Sequence, residues 1–175
     1  MIRIAALLAL AVAGLLPSCE DKSTAAAPPP HEVDGDAVAQ FCNMSLTEHS
    51  GPKGQIFVKD DPTPFWFASV HDLFAFVMLG DTPKAITALY VNDMAKAKNW
   101  DQPEPGTWID ARRAFYVIGS SKRGGMGEPE AVPFSNEDAA QRFIAQHGGR
   151  LVRFDQMPRD YVLASDTSSP SEPPQ

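Results

Sequence analysis

Cys42-Asn43-Met44 places a thiol and a thioether one residue apart, a spacing that lets both sulfurs converge on one point when the segment is extended or looped. Thiolate and thioether donors select copper(I) over harder cations. Three further residues could join such a site. Met126 lies in Lys122-Arg123-Gly124-Gly125-Met126-Gly127, where no apolar periodicity asks for a methionine and the glycines let the backbone approach a neighbour closely. His49 follows Met44 by five residues and could give a nitrogen to the same ion or serve as a turn residue. Met94, after Val91-Asn92-Asp93 at a strand end, is another candidate. Met78 falls on an apolar helix face and reads as core filler. His71 and His147 fall at helix ends, and His31 lies in a tether.

The compartment is written in the first residues. Arg3 precedes an almost unbroken apolar run from Ile4 to Leu16, the pattern of a secretory signal and too short to span a bilayer. Leu16-Pro17-Ser18-Cys19 resembles a bacterial lipobox, which predicts cleavage after residue 18 and lipidation of Cys19, with Pro17 an unusual filler. A lipidated Cys19 leaves Cys42 the remaining thiol of two. A lone thiol in an oxidising compartment needs either deep burial or a bound metal, and both readings stand on these residues. Loss of residues 1–18 removes Arg3 alone and takes the formal charge from -7 to -8. An acidic chain without a Lys/Arg cluster argues against nucleic acid as a partner.

Residues 19–37, with Ala25-Ala26-Ala27-Pro28-Pro29-Pro30, have the composition of a tether, and 164–175 that of a disordered tail. Residues 38–163 amount to one domain. Within it Gly54–Val58 and Thr63–Phe67 read as strands joined by a turn at Lys59-Asp60-Asp61-Pro62. Ser69-Val70-His71-Asp72 opens a short helix that Gly80 ends. Ala85–Val91 and Ala114–Ile118 read as strands around a loop from Asn99 to Thr107. Ser135-Asn136-Glu137-Asp138 opens a second helix, with Ala139, Ala140, Phe143 and Ile144 on one face, and Arg150–Phe154 returns as a strand. The parallel of Phe67–Asp72 with Pro133–Asp138 suggests an internal duplication, and the pattern predicts an α+β domain of two ββα-type halves.

Other chemistries find no motif: Gly-x-Ser-x-Gly, Gly-x-x-x-x-Gly-Lys, Gly-x-Gly-x-x-Gly and His-Glu-x-x-His do not occur, nor does a Cys-x-x-Cys zinc pair. Asp60-Asp61 and the acids of 101–104 read as solvated turns.

Cys42-Asn43-Met44, Gly51-Pro52-Lys53-Gly54-Gln55, Phe67-Ala68-Ser69, Tyr90-Val91-Asn92-Asp93, Trp108-Ile109-Asp110-Ala111, Ala114-Phe115-Tyr116-Val117, Gly125-Met126-Gly127 and Val132-Pro133-Phe134 together resemble, in order and spacing, the NosL family of nitrous oxide reductase accessory lipoproteins. The resemblance runs from Phe41 to Phe154. Asn43 stands where the family motif usually has glycine, and asparagine also tolerates left-handed backbone. The resemblance implies two ββα-type repeats similar to the alkylmercury lyase domain. It implies no enzyme but a periplasmic copper(I) chaperone, lipid-anchored to a membrane, most simply the outer one. Its cargo would serve the copper-sulfide cluster of nitrous oxide reductase, so its partners would be the apo form of that enzyme and the membrane transporter complex of its maturation machinery. Metal binding is implied for Cys42, Met44 and Met126, with His49 and Met94 as additional candidates. A metal-free scaffold lipoprotein is the alternative.

Overall fold

The computed structural model describes residues 27–79 and 85–163. The signal segment, Cys19, the first part of the tether, Gly80 and the tail 164–175 lie outside the described residues.

Strand β1 (Gly54–Val58) is followed by β2 (Phe65–Phe67), helix α1 (Val70–Leu79) and β3 (Ile86–Asn92). Asp60 takes the left-handed turn position between β1 and β2, with φ +64. Both β2 and β3 pair antiparallel with β1, and β4 (Trp108–Asp110) adds to β3, for a sheet order β2-β1-β3-β4. After a single turn of 3-10 helix at Ala111–Arg113, the pattern recurs: β5 (Phe115–Ile118), β6 (Val132–Phe134), α2 (Glu137–His147) and β7 (Arg150–Arg153). Again the first strand is central, in the order β6-β5-β7. Each half is thus ββα closed by a further strand. A last short helix, α3 (Arg159–Leu163), packs against α1. Neither β4 nor α3 stands out in the sequence, because three to five residues hold too little periodicity to register.

The duplication is real in topology, but its register differs by one residue from the sequence comparison. Gly54 pairs with Phe67 and Phe115 with Phe134, so Phe67 and Phe134 correspond. The helix caps agree. Ser69 Oγ accepts the Asp72 amide at 3.0 Å, whereas α2 is capped by Asn136, whose Oδ1 accepts the Ala139 amide at 2.9 Å. Ser135 therefore lies one residue before the cap, and the expected Ser135–Asp138 box is corrected to Asn136.

Burial follows the two-residue period of the strands. Ile56 and Val58 of β1 join Leu73, Phe74, Leu89 and Val91 in the main core, together with Tyr116 and Ile118 from β5. Val117, between them, faces the other way and packs with Val132, Phe134, Ala139 and Ala140 under α2. Helix α1 serves both sheets. Leu73 lies so close to Gly54 that a Cβ there would come within 2.6 Å of its Cδ1, and Phe74 meets Tyr116 edge-on at 5.0 Å. The halves are joined at buried Asp93, whose Oδ1 takes the amides of Ala95 at 3.0 Å and Ser135 at 2.8 Å.

The opposite face of β1 is covered by part of the segment expected to be tether. Gln55 is fully buried and exchanges two hydrogen bonds of 2.9 Å with the backbone of His31. The His31 ring stands edge-on to Phe57 at 5.1 Å, Tyr90 donates to the Pro28 carbonyl at 2.6 Å, and Glu32 takes the Gly106 amide and the Trp108 indole at 2.9 and 3.1 Å. Residues 28–32 thus form a strap on the sheet. A proline run is already extended and loses little entropy on docking, which composition does not register.

Candidate metal centre

Residues 38–45 make a tight returning loop. Val38 bridges Ser45, the Ala39 amide donates to the Met44 carbonyl and the Asn43 amide to the Ala39 carbonyl, both at 2.9 Å. Closing so short a loop demands left-handed backbone at one position, and Asn43 holds it with φ +55. The loop leaves Cys42 half-buried, beside the small cluster of Ala37, Ala39, Leu46 and Ala68, and Met44 exposed.

One turn of 3-10 helix, Leu46–Glu48, then delivers His49 back to the loop. Its ring is buried, 3 % exposed, and Nε2 stands 3.5 Å from Cys42 Sγ. Gln102 holds this segment in place by donating to the carbonyls of Thr47 at 2.8 Å and His49 at 3.3 Å.

The glycine-rich loop closes on His49 from the other side. Arg123 bridges Pro129, the Gly124 amide donates to the Glu128 carbonyl and the Gly127 amide to the Gly124 carbonyl, each at 3.0 Å. Glu128 Oε2 accepts the Met126 amide at 3.0 Å. Gly125 is pressed on the imidazole: a Cβ at that position would come within 2.5 Å of His49 Cβ. Here the glycine supplies close approach, and Met126, the next residue, is left 61 % exposed. Cys42, His49 and the Met126 loop are thereby gathered in one region, with Met44 on the Cys42 loop. Met94 is elsewhere, packed against the second core cluster under α2. Among the described residues no three His, Cys, Asp or Glu side chains gather as a metal cluster.

Behind this region lie charges that the sequence did not single out. Lys53 is buried, donates to the Gly51 carbonyl at 2.6 Å, and its pKa falls to about 8 through burial, opposed by Glu130, Glu128 and Asp101. Glu130 is fully enclosed; burial and then the like charge of Glu128 push its pKa up to about 8 against the amides of Ala131 and His71, which donate to it at 2.8 and 3.0 Å. Glu130 thus meets the first turn of α1. A sequence places such residues no differently from surface charges, since their burial comes from elements remote in the chain.

A duplicated ββαβ domain that presents a thiol–imidazole pair beside two methionine-bearing loops offers donors of the soft kind that suit a soft metal ion. Residues 30–162 match the profile of the NosL family. The chain is 39% identical over 172 residues to the copper-binding lipoprotein NosL of Achromobacter cycloclastes, covering 98% of this chain and 88% of that one. It is 34% identical over 128 residues to the copper-binding lipoprotein NosL of Stutzerimonas stutzeri, covering 73% and 64%. The crystal structure of the copper chaperone NosL from Shewanella denitrificans superposes with a TM-score of 0.69 at 34% identity, over 75% of this chain and 97% of that one. The chain belongs to the NosL family.

Proposed function

We propose that this protein is a lipid-anchored copper(I) carrier of the periplasm, with Cys42 as principal donor, His49 beside it and Met44 and Met126 as exchangeable thioethers. The observation that carries this reading is the 3.5 Å approach of Cys42 Sγ to His49 Nε2 between two loops that each expose a methionine. A soft donor set binds copper(I) in preference to harder cations, and exposed thioethers let an incoming ligand take the metal over stepwise. The names of the relatives, copper-binding lipoprotein and copper chaperone, support the same reading. The protein acts by ligand exchange and not as an enzyme. Met94 is left out of the proposed donor set, since it packs against the second core cluster.

The cargo serves the copper-sulfide cluster of nitrous oxide reductase; the apo-enzyme and the membrane transporter complex of its maturation are the partners. Cys19 carries the anchor, most simply on the outer membrane. The test is a deletion strain grown across a copper series, with nitrous oxide reduction and cluster copper measured. Supply predicts a folded enzyme short of cluster copper, worst when copper is scarce and partly restored when it is abundant. A defect equal at every copper level sinks the carrier reading in favour of a metal-free scaffold.

A further inference from the structure

At the junction of the two halves, away from any residue of the proposed copper site, a cleft of about 530 Å³ opens between β4, the 3-10 turn after it, β5 and the end of β7. Arg112, Arg113 and Arg153 line it with Ile109, Phe115 and Ser135. Three guanidinium groups around one cleft reverse the sign of a chain whose formal charge is -7. Among the described residues, no ion pair engages any of them. Asp110, the acid in the lining, has Oδ1 turned to the Arg112 amide at 2.8 Å.

The cleft is also built. The Arg153 guanidinium lies over the Phe115 ring at 4.0 Å and donates through Nη2 to the Arg113 carbonyl at 3.0 Å, so its position is held by stacking and by backbone. Its Nη1 is enclosed and meets no acceptor. A guanidinium carries more donors than this arrangement uses, and a buried donor left unmade is costly. Planar forks of this kind match the paired oxygens of carboxylate and phosphate. Arg112 and Arg113 stand exposed at the rim, and Ser135 adds a hydroxyl.

We propose that this cleft binds a small free oxyanion with several carboxylate or phosphate oxygens. Arg112 and Arg113, exposed at the rim, supply its donors, and Arg153, fixed on the Phe115 ring and the Arg113 carbonyl, contributes the positive charge of the floor. Because the site shares no residue with the copper donors, it holds whether or not the copper reading does.

The test is calorimetric titration of the full chain in detergent with citrate and, separately, inorganic phosphate, in chloride buffers of matched ionic strength. Saturable one-to-one citrate binding is expected, and Arg112→Glu should weaken it at least tenfold. Arg142→Glu, on helix α2 outside the cleft, makes the same charge change and should leave affinity within twofold. Arg153→Gln should weaken binding by removing the charge of the floor; if that variant unfolds, the exposed Arg112 exchange still decides. Absence of saturable binding, or equal losses from Arg112→Glu and Arg142→Glu, overturns the proposal. So does a parallel arm in which phosphatidylglycerol vesicles bind through the same arginines while free citrate does not, because the ligand is then a lipid headgroup.

Discussion

Cys42 Sγ lies 3.5 Å from Nε2 of His49, and the imidazole that reaches it is buried and backed by Gly125. A thiol that meets a buried, positioned nitrogen differs from a thiol merely packed away. The histidine cannot swing aside without displacing the loop that carries Met126, so the three residues respond to change together.

That coupling sets the first prediction. Cys42→Ser should lower copper(I) affinity on the order of a hundredfold, because it removes the softest donor, while Met126→Leu should cost roughly tenfold. Gly125→Ala replaces no proposed donor, yet its Cβ would sit 2.5 Å from His49 Cβ, so it should also weaken binding. Competition with a chromophoric copper(I) chelator measures all three. Wild-type affinity in Gly125→Ala would show that the His49 position is irrelevant to the metal.

A second prediction concerns pH. Glu130 is raised from 4.5 to about 8 by burial first and Glu128 second, so the folded state holds its proton more tightly than the unfolded chain does. The stability it contributes is complete below about 4.5 and is lost as pH rises towards about 8. Lys53, lowered from 10.5 to about 8, acts in the opposite window: its contribution is present above 10.5 and is lost as pH falls through about 8. Chemical denaturation should therefore find a stability minimum near pH 8, with a loss on the order of a few kcal/mol between pH 5 and 8. Glu130→Gln should flatten the acidic limb. An unchanged limb in that variant would assign the pH dependence to other groups.

Capping gives a third. Asn136→Ala should destabilise the domain by about 1 kcal/mol and lower the melting temperature by several degrees, and Ser135→Ala should do much less. The reverse ranking in thermal unfolding would restore Ser135 as the cap.

The strap gives a fourth. A chain beginning at residue 37 loses the contacts of Pro28, His31 and Glu32 and uncovers Gln55 and Phe57. At about 1 kcal/mol for each hydrogen bond, it should be less stable than a chain beginning at residue 27 by a few kcal/mol in urea unfolding. Equal midpoints would return residues 28–32 to the role of a simple tether.

Much was legible without coordinates. The strand Gly54–Val58 is bounded correctly by its residues, the order of strand, helix and strand in both halves follows from apolar patterning and glycine punctuation, Cys42 is singled out by its spacing to Met44, and Met126 by a glycine-rich loop with no packing reason for a methionine. These are local signals, carried by residues near one another in the chain. Four features were decided only in three dimensions. The first is that His49 stands beside Cys42 Sγ with the Met126 loop closed on it, since this depends on a segment 76 residues along the chain folding back so that Gly125 meets His49. The second is the one-residue register of the duplication, settled by strand pairing and by which side chain reaches the α2 amide. The third is the burial of Lys53 and Glu130, and the fourth the convergence of three arginines at the junction of the halves. Sequence records a residue's chemistry and its local period, but how near two distant residues come depends on packing between elements, a property of the whole chain.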